Sequence, residues 1–360
     1  MNKSTSTFLD CARWLAAFFV VFGHAAHMLI PDRYFLTELG HCAVVVFFVV
    51  SGYLVGGTTL AKWRDRGVDL VGYSAARFSR IYIVLVPALA LGYLLDTLGL
   101  RYFDAYAHLG SLNIGSLDNV EPRLGVKQLV GNFLMLQGTA TEVLGSNGPL
   151  WSLANEWWYY CLFLFIAGGA LSRGVARYML WACAVPLLVL LDKNLLLWGV
   201  LWLAGLGAYF IRWRMPTLVG AAAFIASLVV WQLMEHQYAL LRDAIVAVGF
   251  CALLLSKIEV PFAKLHEPMA AFSYSLYLIH FPLMLMICAL FGWRLGASSA
   301  LYIPILVVAV YVLSYGFARL TEKHTNVLRS WLLRTYAKIW KSNVADSRTR
   351  VVTPSGAAGE

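Results

Sequence analysis

Two ionisable side chains with a regular spacing occur in the first apolar segment of the chain. Arg13 and His24 lie eleven residues apart in the run DCARWLAAFFVVFGHAAHML. Eleven residues are close to three helical turns, so both side chains would lie on one helix face, about 16 Å apart along its axis. Charged groups inside a membrane are costly, rare and usually functional. The spacing predicts a cation and a potential base at two depths of one polar path, with Asp10 as the ion-pair partner of Arg13.

Both residues also have a purely structural explanation. Arg13 could anchor the helix at the membrane interface, and His24 could make only a hydrogen bond to a neighbouring helix. Reactive groups at a matching depth on other helices would favour the functional explanation.

Later apolar segments carry such groups. Glu156 lies about seven residues into a segment that enters from the opposite side, hence about 10 Å deep and close to the depth of His24. It is predicted to orient the His24 ring as the third group of a triad does, or else to be a protonated, hydrogen-bonded carboxyl. His280 and Ser51 are supporting candidates, with ordinary hydrogen bonding in the bundle as the alternative. His41, at the outer start of a segment, could touch an acceptor.

An arginine pair precedes the third apolar segment. Arg77 and Arg80 lie three residues apart, so they share a helix face. One guanidinium group can bind two phosphate oxygens at once, so the arginine pair predicts a site for a phosphate-rich cosubstrate. The alternative is ordinary positive charge beside a membrane segment, and for Arg64 and Arg66 that alternative is favoured.

Composition determines the protein class. Of 360 residues, 60% are hydrophobic and 13% charged, and the mean hydropathy is +0.70. Soluble domains average about 45–50% apolar and about 25% charged, so this is a polytopic membrane protein. The net charge of +9 is spread between apolar segments, which fits cytoplasmic loops and argues against nucleic acid as a partner. The six cysteines form no CxxC and have no histidine at ligand spacing, so neither a disulfide framework nor a metal site is predicted.

Apolar segments predict an all-α bundle of about ten transmembrane helices. The N-terminal run is interpreted as a retained first span rather than a signal peptide. Lys and Arg lie mainly in loops that face the cytoplasm if the N-terminus does, so both termini are predicted to be cytoplasmic. The predicted spans are 8–30, 41–60, 80–99, 149–171, 176–193, 195–211, 216–234, 239–257, 268–291 and 297–320.

Two further parts of the chain are treated separately. The long outer loop 100–148 contains an apolar stretch, 129–136, that is too short to cross and is predicted to be interfacial or re-entrant. Residues 1–323 are predicted to form one membrane domain, followed by a basic cytoplasmic tail at 324–360. The last fifteen or so residues of the tail are predicted to be disordered.

Four motifs add a family resemblance to these features. They are FFVVSGYLVG at 47–56, ARFSRIYIVLVPAL at 76–89, GPLWSLANEWWYYCLF at 148–163 and SYSLYLIHFPL at 273–283. Together with the Arg13–His24 spacing, they resemble the acyltransferase-3 family of integral membrane acyltransferases over residues 8–323. The chain departs from the family pattern at two motifs. Where the family often has S-V-E-x-x-F-Y, this chain keeps the glutamate as Glu156 but has different neighbours. Where the family has an E-R-P-like ending, this chain has EKH at 322–324.

The resemblance implies an O-acyltransferase of a bacterial inner membrane. It would move an acetyl or another small acyl group from cytoplasmic acyl-coenzyme A to a hydroxyl of an extracytoplasmic or lipid-linked glycan, such as an exopolysaccharide or O-antigen. His24 would act as base or acyl acceptor with help from Glu156, while Arg13, Arg77 and Arg80 would bind the donor. Membrane lipids and a second copy of the chain are further partners left open.

Two other functions compete with this one. A secondary transporter could use Arg13, His24 and Glu156 as a proton relay and substrate site. No matching pair of Gly/Pro-interrupted segments is seen in the two halves, and the Arg77–Arg80 pair fits a phosphate-rich cosubstrate better. A flippase or assembly partner for a polysaccharide would not need His24 and Glu156 at matched depth.

Overall fold

The computed structural model describes residues 3–31, 34–103, 106, 120–256, 258–293 and 300–351. Within these ranges the fold is all-helical and has no strand, as predicted. The helices are α1 Lys3–Leu29, α2 Tyr34–Ser51, α3 Thr58–Arg66, α4 Leu70–Tyr102, α5 Val126–Phe133, α6 Leu150–Leu171, α7 Gly174–Leu190, α8 Lys193–Phe210, α9 Thr217–Leu233, α10 Ala239–Leu254, α11 Ala263–Ala271, α12 Ser273–Leu290, α13 Tyr302–Leu320 and α14 Thr325–Val351.

Every predicted span has a helical counterpart, but not every helix meets a strict criterion for crossing a membrane. Seven stretches in the described ranges are long and apolar enough: Lys3–Leu29, Glu38–Arg66, Leu70–Tyr102, Lys193–Phe210, His236–Leu254, Ser273–Leu290 and Tyr302–Ile339. The apolar helices α7 and α9 have only 17 residues each. The chain is a membrane protein, whereas the count of ten and the side of each terminus stay predictions.

Helix α12 is the centre of the bundle. Apolar side chains surround it on all faces, and 16 of its 18 residues are buried. A helix that is apolar all round can be stable only where other elements enclose it. It packs against α1, α4 and α13, so the side chains of α12 lie where these helices converge.

A π-helical turn joins α2 to α3. It spans Gly52–Gly57 and overlaps the second half of the motif FFVVSGYLVG at 47–56, and such turns are frequent at functional sites. A Cβ atom on Gly52 would lie 1.8 Å from the Trp202 carbonyl oxygen of α8, so only glycine allows this approach of the two helices. The contact places Trp202 beside Ser51, and its indole Nε1 donates a hydrogen bond of 3.1 Å to the Ser51 hydroxyl.

The loop before α6 is held against the bundle by buried polar contacts. Asp96 of α4 accepts hydrogen bonds from the Ser146 amide and hydroxyl, at 2.7 and 2.8 Å. Asn147 donates to the Leu278 carbonyl of α12 at 2.8 Å. The apolar stretch predicted to be interfacial or re-entrant largely coincides with the short helix α5, while residues 104–105 and 107–119 of the loop lie outside the described residues.

The segment after the last predicted span is helical. A basic cytoplasmic tail was predicted at 324–360, but α14 continues to Val351 and packs against α4. The predicted disorder at the C-terminus concerns mainly residues 352–360, which lie outside the described residues. The division of the chain at residue 323 stays a prediction.

Candidate active site

Two cavities contain the side chains with chemical potential. The first, here called the arginine cavity, has a volume of about 420 Å³ and contains Arg13, Arg77, Arg80 and Arg329 in its wall. The second, here called the histidine cavity, has a volume of about 820 Å³ and is lined by His24, His27 and His41 among others. Helices α1, α2 and α12 contribute to the walls of both.

The arginine cavity unites most of the residues singled out from the sequence. Arg13, Arg77 and Arg80 line it together with Glu156 and Ser51. These residues come from α1, α4, α6 and α2, so four helices converge there. The wall therefore carries several guanidinium groups near one carboxylate, an arrangement suited to a ligand with more than one phosphate.

Carboxylates outside the cavity wall hold two of these arginines. Asp10 lies 3.7 Å from Arg13, which confirms the predicted ion pair within α1. Glu322, only 7% exposed, lies 2.5 Å from Arg80 and accepts a hydrogen bond of 2.9 Å from the Ser275 amide. Glu322 was not predicted as a site residue. The signal for it in the sequence was its position in EKH at 322–324, where the family has an E-R-P-like ending.

Arg77 is held differently, by an aromatic ring. Its guanidinium lies over the Tyr160 ring at 5.7 Å from the centroid, and its Nε atom is buried without a hydrogen-bond partner among the described residues. A buried donor without a partner is costly, so an acceptor from a ligand would satisfy it.

A directed hydrogen-bond chain leads to Glu156. The Tyr160 hydroxyl donates to the Glu156 carboxylate, and the Ser51 hydroxyl lies 3.0 Å from Tyr160. Because Tyr160 uses its proton on Glu156, Ser51 must donate to Tyr160 and accept from Trp202. Ser51 therefore makes hydrogen bonds to both Tyr160 and Trp202, and its role at the site stays a prediction.

The His24 ring is oriented by His280. Nδ1 of His24 lies 3.0 Å from Nε2 of His280, and Nδ1 of His280 lies 2.7 Å from the Tyr277 carbonyl oxygen. A carbonyl can only accept, so His280 must carry its proton on Nδ1 and has a lone pair on Nε2. That lone pair accepts the Nδ1 proton of His24, which leaves the Nε2 of His24 as the basic nitrogen.

Two neighbouring rings confine His24. The Phe281 ring lies edge-on at a centroid distance of 5.3 Å, and the His280 ring is stacked on His24 at 5.1 Å. Contacts with α12 thus fix both the position of His24 and its proton.

The histidine cavity has a second oriented histidine that sequence analysis largely missed. Nε2 of His41 lies 3.0 and 3.1 Å from the two carboxylate oxygens of Asp243, which is 1% exposed. Asp243 also accepts a hydrogen bond of 3.1 Å from Trp231 Nε1. His41 had been considered as an acceptor contact, but Asp243 had not been singled out. The available signal was a charged residue within the apolar segment 239–257.

The predicted pairing of Glu156 with His24 does not occur in the structure. Glu156 belongs to the arginine cavity and bonds to Tyr160, whereas His24 lines the histidine cavity and bonds to His280. The sequence estimate compared only depths along two helix axes and could not give the rotation of each helix. His280 therefore has the orienting position that had been assigned to Glu156.

The two cavities adjoin at Tyr277, which lines both, as does Val44. The Tyr277 hydroxyl lies 3.1 Å from the Pro149 carbonyl oxygen and 2.5 Å from the Ser152 hydroxyl. The same residue supplies the carbonyl that fixes the His280 tautomer. Within the described residues, no cluster of three or more His, Cys, Asp or Glu side chains could hold a metal ion.

Comparisons with known proteins place these features in a family context. The model of the acyltransferase-3 family, described as an acyltransferase domain, matches residues 6–319. An O-acetyl transferase of Shigella phage Sf6 is 28% identical over 173 residues. That match covers 45% of this chain and 45% of the phage protein, so this chain aligns with less than half of that relative. No solved structure matches the chain.

Proposed function

The chain belongs to the acyltransferase-3 family, and from this premise we propose that it is a membrane O-acyltransferase that uses acetyl-coenzyme A. The acceptor is a hydroxyl of an extracytoplasmic or lipid-linked glycan, and the membrane is the bacterial inner membrane. One observation carries the proposal: a cavity rich in arginine adjoins a cavity that contains an oriented histidine, with Tyr277 between them.

The donor half of the proposal rests on charge. Coenzyme A has three phosphates at one end and its thioester at the other end of a long, thin arm. Arg13, Arg77 and Arg80 suit the phosphates, and the arm would extend past Tyr277 towards His24. Glu156 is assigned to this half of the site, where it fixes Tyr160 and balances the arginine charge.

The chemical step rests on the tautomer of His24. Nε2 of His24 takes the proton of the acceptor hydroxyl while the hydroxyl oxygen attacks the carbonyl carbon of the thioester. The carbon–sulfur bond breaks, and the thiolate of coenzyme A receives the proton from the imidazolium. His280 accepts from Nδ1 throughout and keeps the ring aligned. In the other route left open by the residues, Nε2 attacks the thioester carbonyl first and expels the thiolate of coenzyme A. The acyl group then passes from Nε2 to the acceptor oxygen, and the proton of the hydroxyl goes to the thiolate.

The acceptor half of the proposal rests on the wall of the histidine cavity. Trp151 offers an aromatic face on which a sugar ring can stack, and Thr139, Thr141 and Glu142 offer hydrogen-bond partners for hydroxyls. His41, held by Asp243, has its Nδ1 available as a further acceptor. This mixture of aromatic and polar groups suits a polyhydroxylated ligand better than an apolar one.

Acetyl transfer by purified protein in nanodiscs tests the proposal directly. Radiolabelled acetyl-coenzyme A would be supplied with envelope polysaccharide from the source organism, and released coenzyme A and labelled polysaccharide would be measured. We expect release and labelling by the wild type and none by His24→Ala. His324→Ala, which changes an exposed histidine outside both cavities, is the matched control. An intact donor, with no binding of coenzyme A by calorimetry, would reject the proposal and favour the transporter.

A further inference from the structure

Helix α14 reaches the arginine cavity although it lies beyond the part of the chain that matches the family. The family match ends at residue 319. Thr325, Asn326 and Arg329 of α14 nevertheless line the cavity together with Arg77 and Arg80. The segment that sequence analysis treated as a tail is therefore part of the wall of the proposed donor site.

The start of α14 is fixed to the bundle by hydrogen bonds. Glu322, immediately before the helix, bonds to Arg80 of α4 and to the Ser275 amide of α12. The Thr325 hydroxyl donates to the Glu322 carbonyl at 2.7 Å. Contacts with two helices at this junction hold the first turns of α14 in place over the cavity.

The face of α14 towards the cavity is polar and ends in a positive charge. Arg329 lies three residues after Asn326 and four after Thr325, so the three side chains share one helix face. Arg329 is exposed and makes no ion pair with any residue in the described ranges, unlike Arg80 and Arg13. A guanidinium group at the rim of a cavity is thus available to an anion.

The direction of the donor identifies which phosphate would meet Arg329. The thioester must pass Tyr277 to reach His24, so the nucleotide end stays in the arginine cavity. The half-buried Arg77 and Arg80 then lie on the side of the arm and its diphosphate, and the exposed Arg329 lies farther out. The phosphate farthest along the donor from the thioester is the 3′-phosphate on the ribose.

We propose that α14 completes the donor site and that Arg329 binds the 3′-phosphate of coenzyme A; this inference rests on the proposed function. A phosphopantetheine arm on a carrier protein has no 3′-phosphate, so Arg329 would make the site selective for free coenzyme A. Since the contact is exposed, its contribution to affinity is about three- to five-fold, as for other solvent-exposed ion pairs.

The test compares two ligands that differ only in this phosphate. Dissociation constants for coenzyme A and 3′-dephospho-coenzyme A would be measured by calorimetry on the full chain in nanodiscs. We expect the wild type to bind coenzyme A about three- to five-fold more tightly than the dephospho form. Arg329→Ala should remove this preference by weakening only coenzyme A. Arg334→Ala, an exposed arginine on the same helix that does not line the cavity, should keep it.

Three results would overturn the inference, and they differ from one another. Equal weakening of both ligands by Arg329→Ala would mean that Arg329 supports the structure rather than the 3′-phosphate. A wild type without any preference would mean that no site for this phosphate exists. A wild type that binds neither ligand would reject the proposed donor itself, and the inference would fall with it.

Discussion

The arginine cavity and the histidine cavity share helices α1, α2 and α12 but hold Arg80 and His24 in opposite ways. In the arginine cavity, charges are paired with charges, as in the contact of Arg80 with Glu322, and donors remain for a ligand. In the histidine cavity, His24 is held by a neutral chain through His280 to a backbone carbonyl. The first arrangement suits binding of a charged molecule, and the second suits movement of one proton.

The difference does not require separate domains. Helix α1 supplies Arg13 to one cavity and His24 to the other, and α2 supplies Ser51 and His41 in the same way. One helix can therefore serve both binding and chemistry, provided that the two functions are separable by mutation.

Replacement of His24 tests that separation with the largest expected effect. His24→Ala removes the base, and we expect release of coenzyme A in the presence of acceptor to fall by about 10²–10⁴-fold. The dissociation constant of coenzyme A, measured by calorimetry, should not change because the arginine cavity is intact. A parallel loss of binding would mean that the two cavities form one site, which would break the comparison.

The converse test removes a charge from the arginine cavity. Arg77→Ala should weaken coenzyme A binding by about 10- to 100-fold, the range expected for loss of a charge-assisted hydrogen bond. Turnover at saturating donor should remain within about threefold, since a loss of binding alone acts on KM. Arg66→Ala, an exposed arginine outside the cavity, is the control and should behave as wild type. A fall in kcat without a change in affinity would assign Arg77 to the chemistry instead.

His280, which orients His24 from behind the wall of the histidine cavity, allows a finer test. His280→Ala removes the acceptor for Nδ1 of His24, so the ring can turn or change tautomer, and we expect kcat to fall about ten-fold. His280→Gln offers a side-chain oxygen that can accept from His24 and should recover part of this loss. The comparison of KM and kcat for the two variants separates orientation from general destabilisation. If both variants were equally impaired, His280 would be a packing residue.

The comparison also shows what sequence can and cannot predict. Composition and apolar length predicted the all-helical membrane fold, and local spacing predicted the Asp10–Arg13 pair, because these depend on neighbours along the chain. The pairings of His24 with His280 and of His41 with Asp243 join residues more than 200 positions apart. They depend on the rotation of each helix about its axis, which a depth estimate does not contain. Nothing in this basic segment signalled that α14 would contact the arginine cavity.

Replacement of Tyr160 has the smallest expected effect on coenzyme A binding, and it tests whether Glu156 belongs to the arginine cavity or acts with His24. Tyr160→Phe keeps the ring under Arg77 but removes the hydroxyl that donates to Glu156. The freed carboxylate can then compete with phosphate for the arginines, so we expect coenzyme A to bind about two- to five-fold more weakly, with kcat unchanged. Calorimetry and saturation kinetics on the same nanodisc sample would measure both quantities. A drop in kcat at unchanged affinity would instead tie Glu156 to His24, as depth along the helices alone had predicted, and the boundary at Tyr277 would no longer separate binding from chemistry.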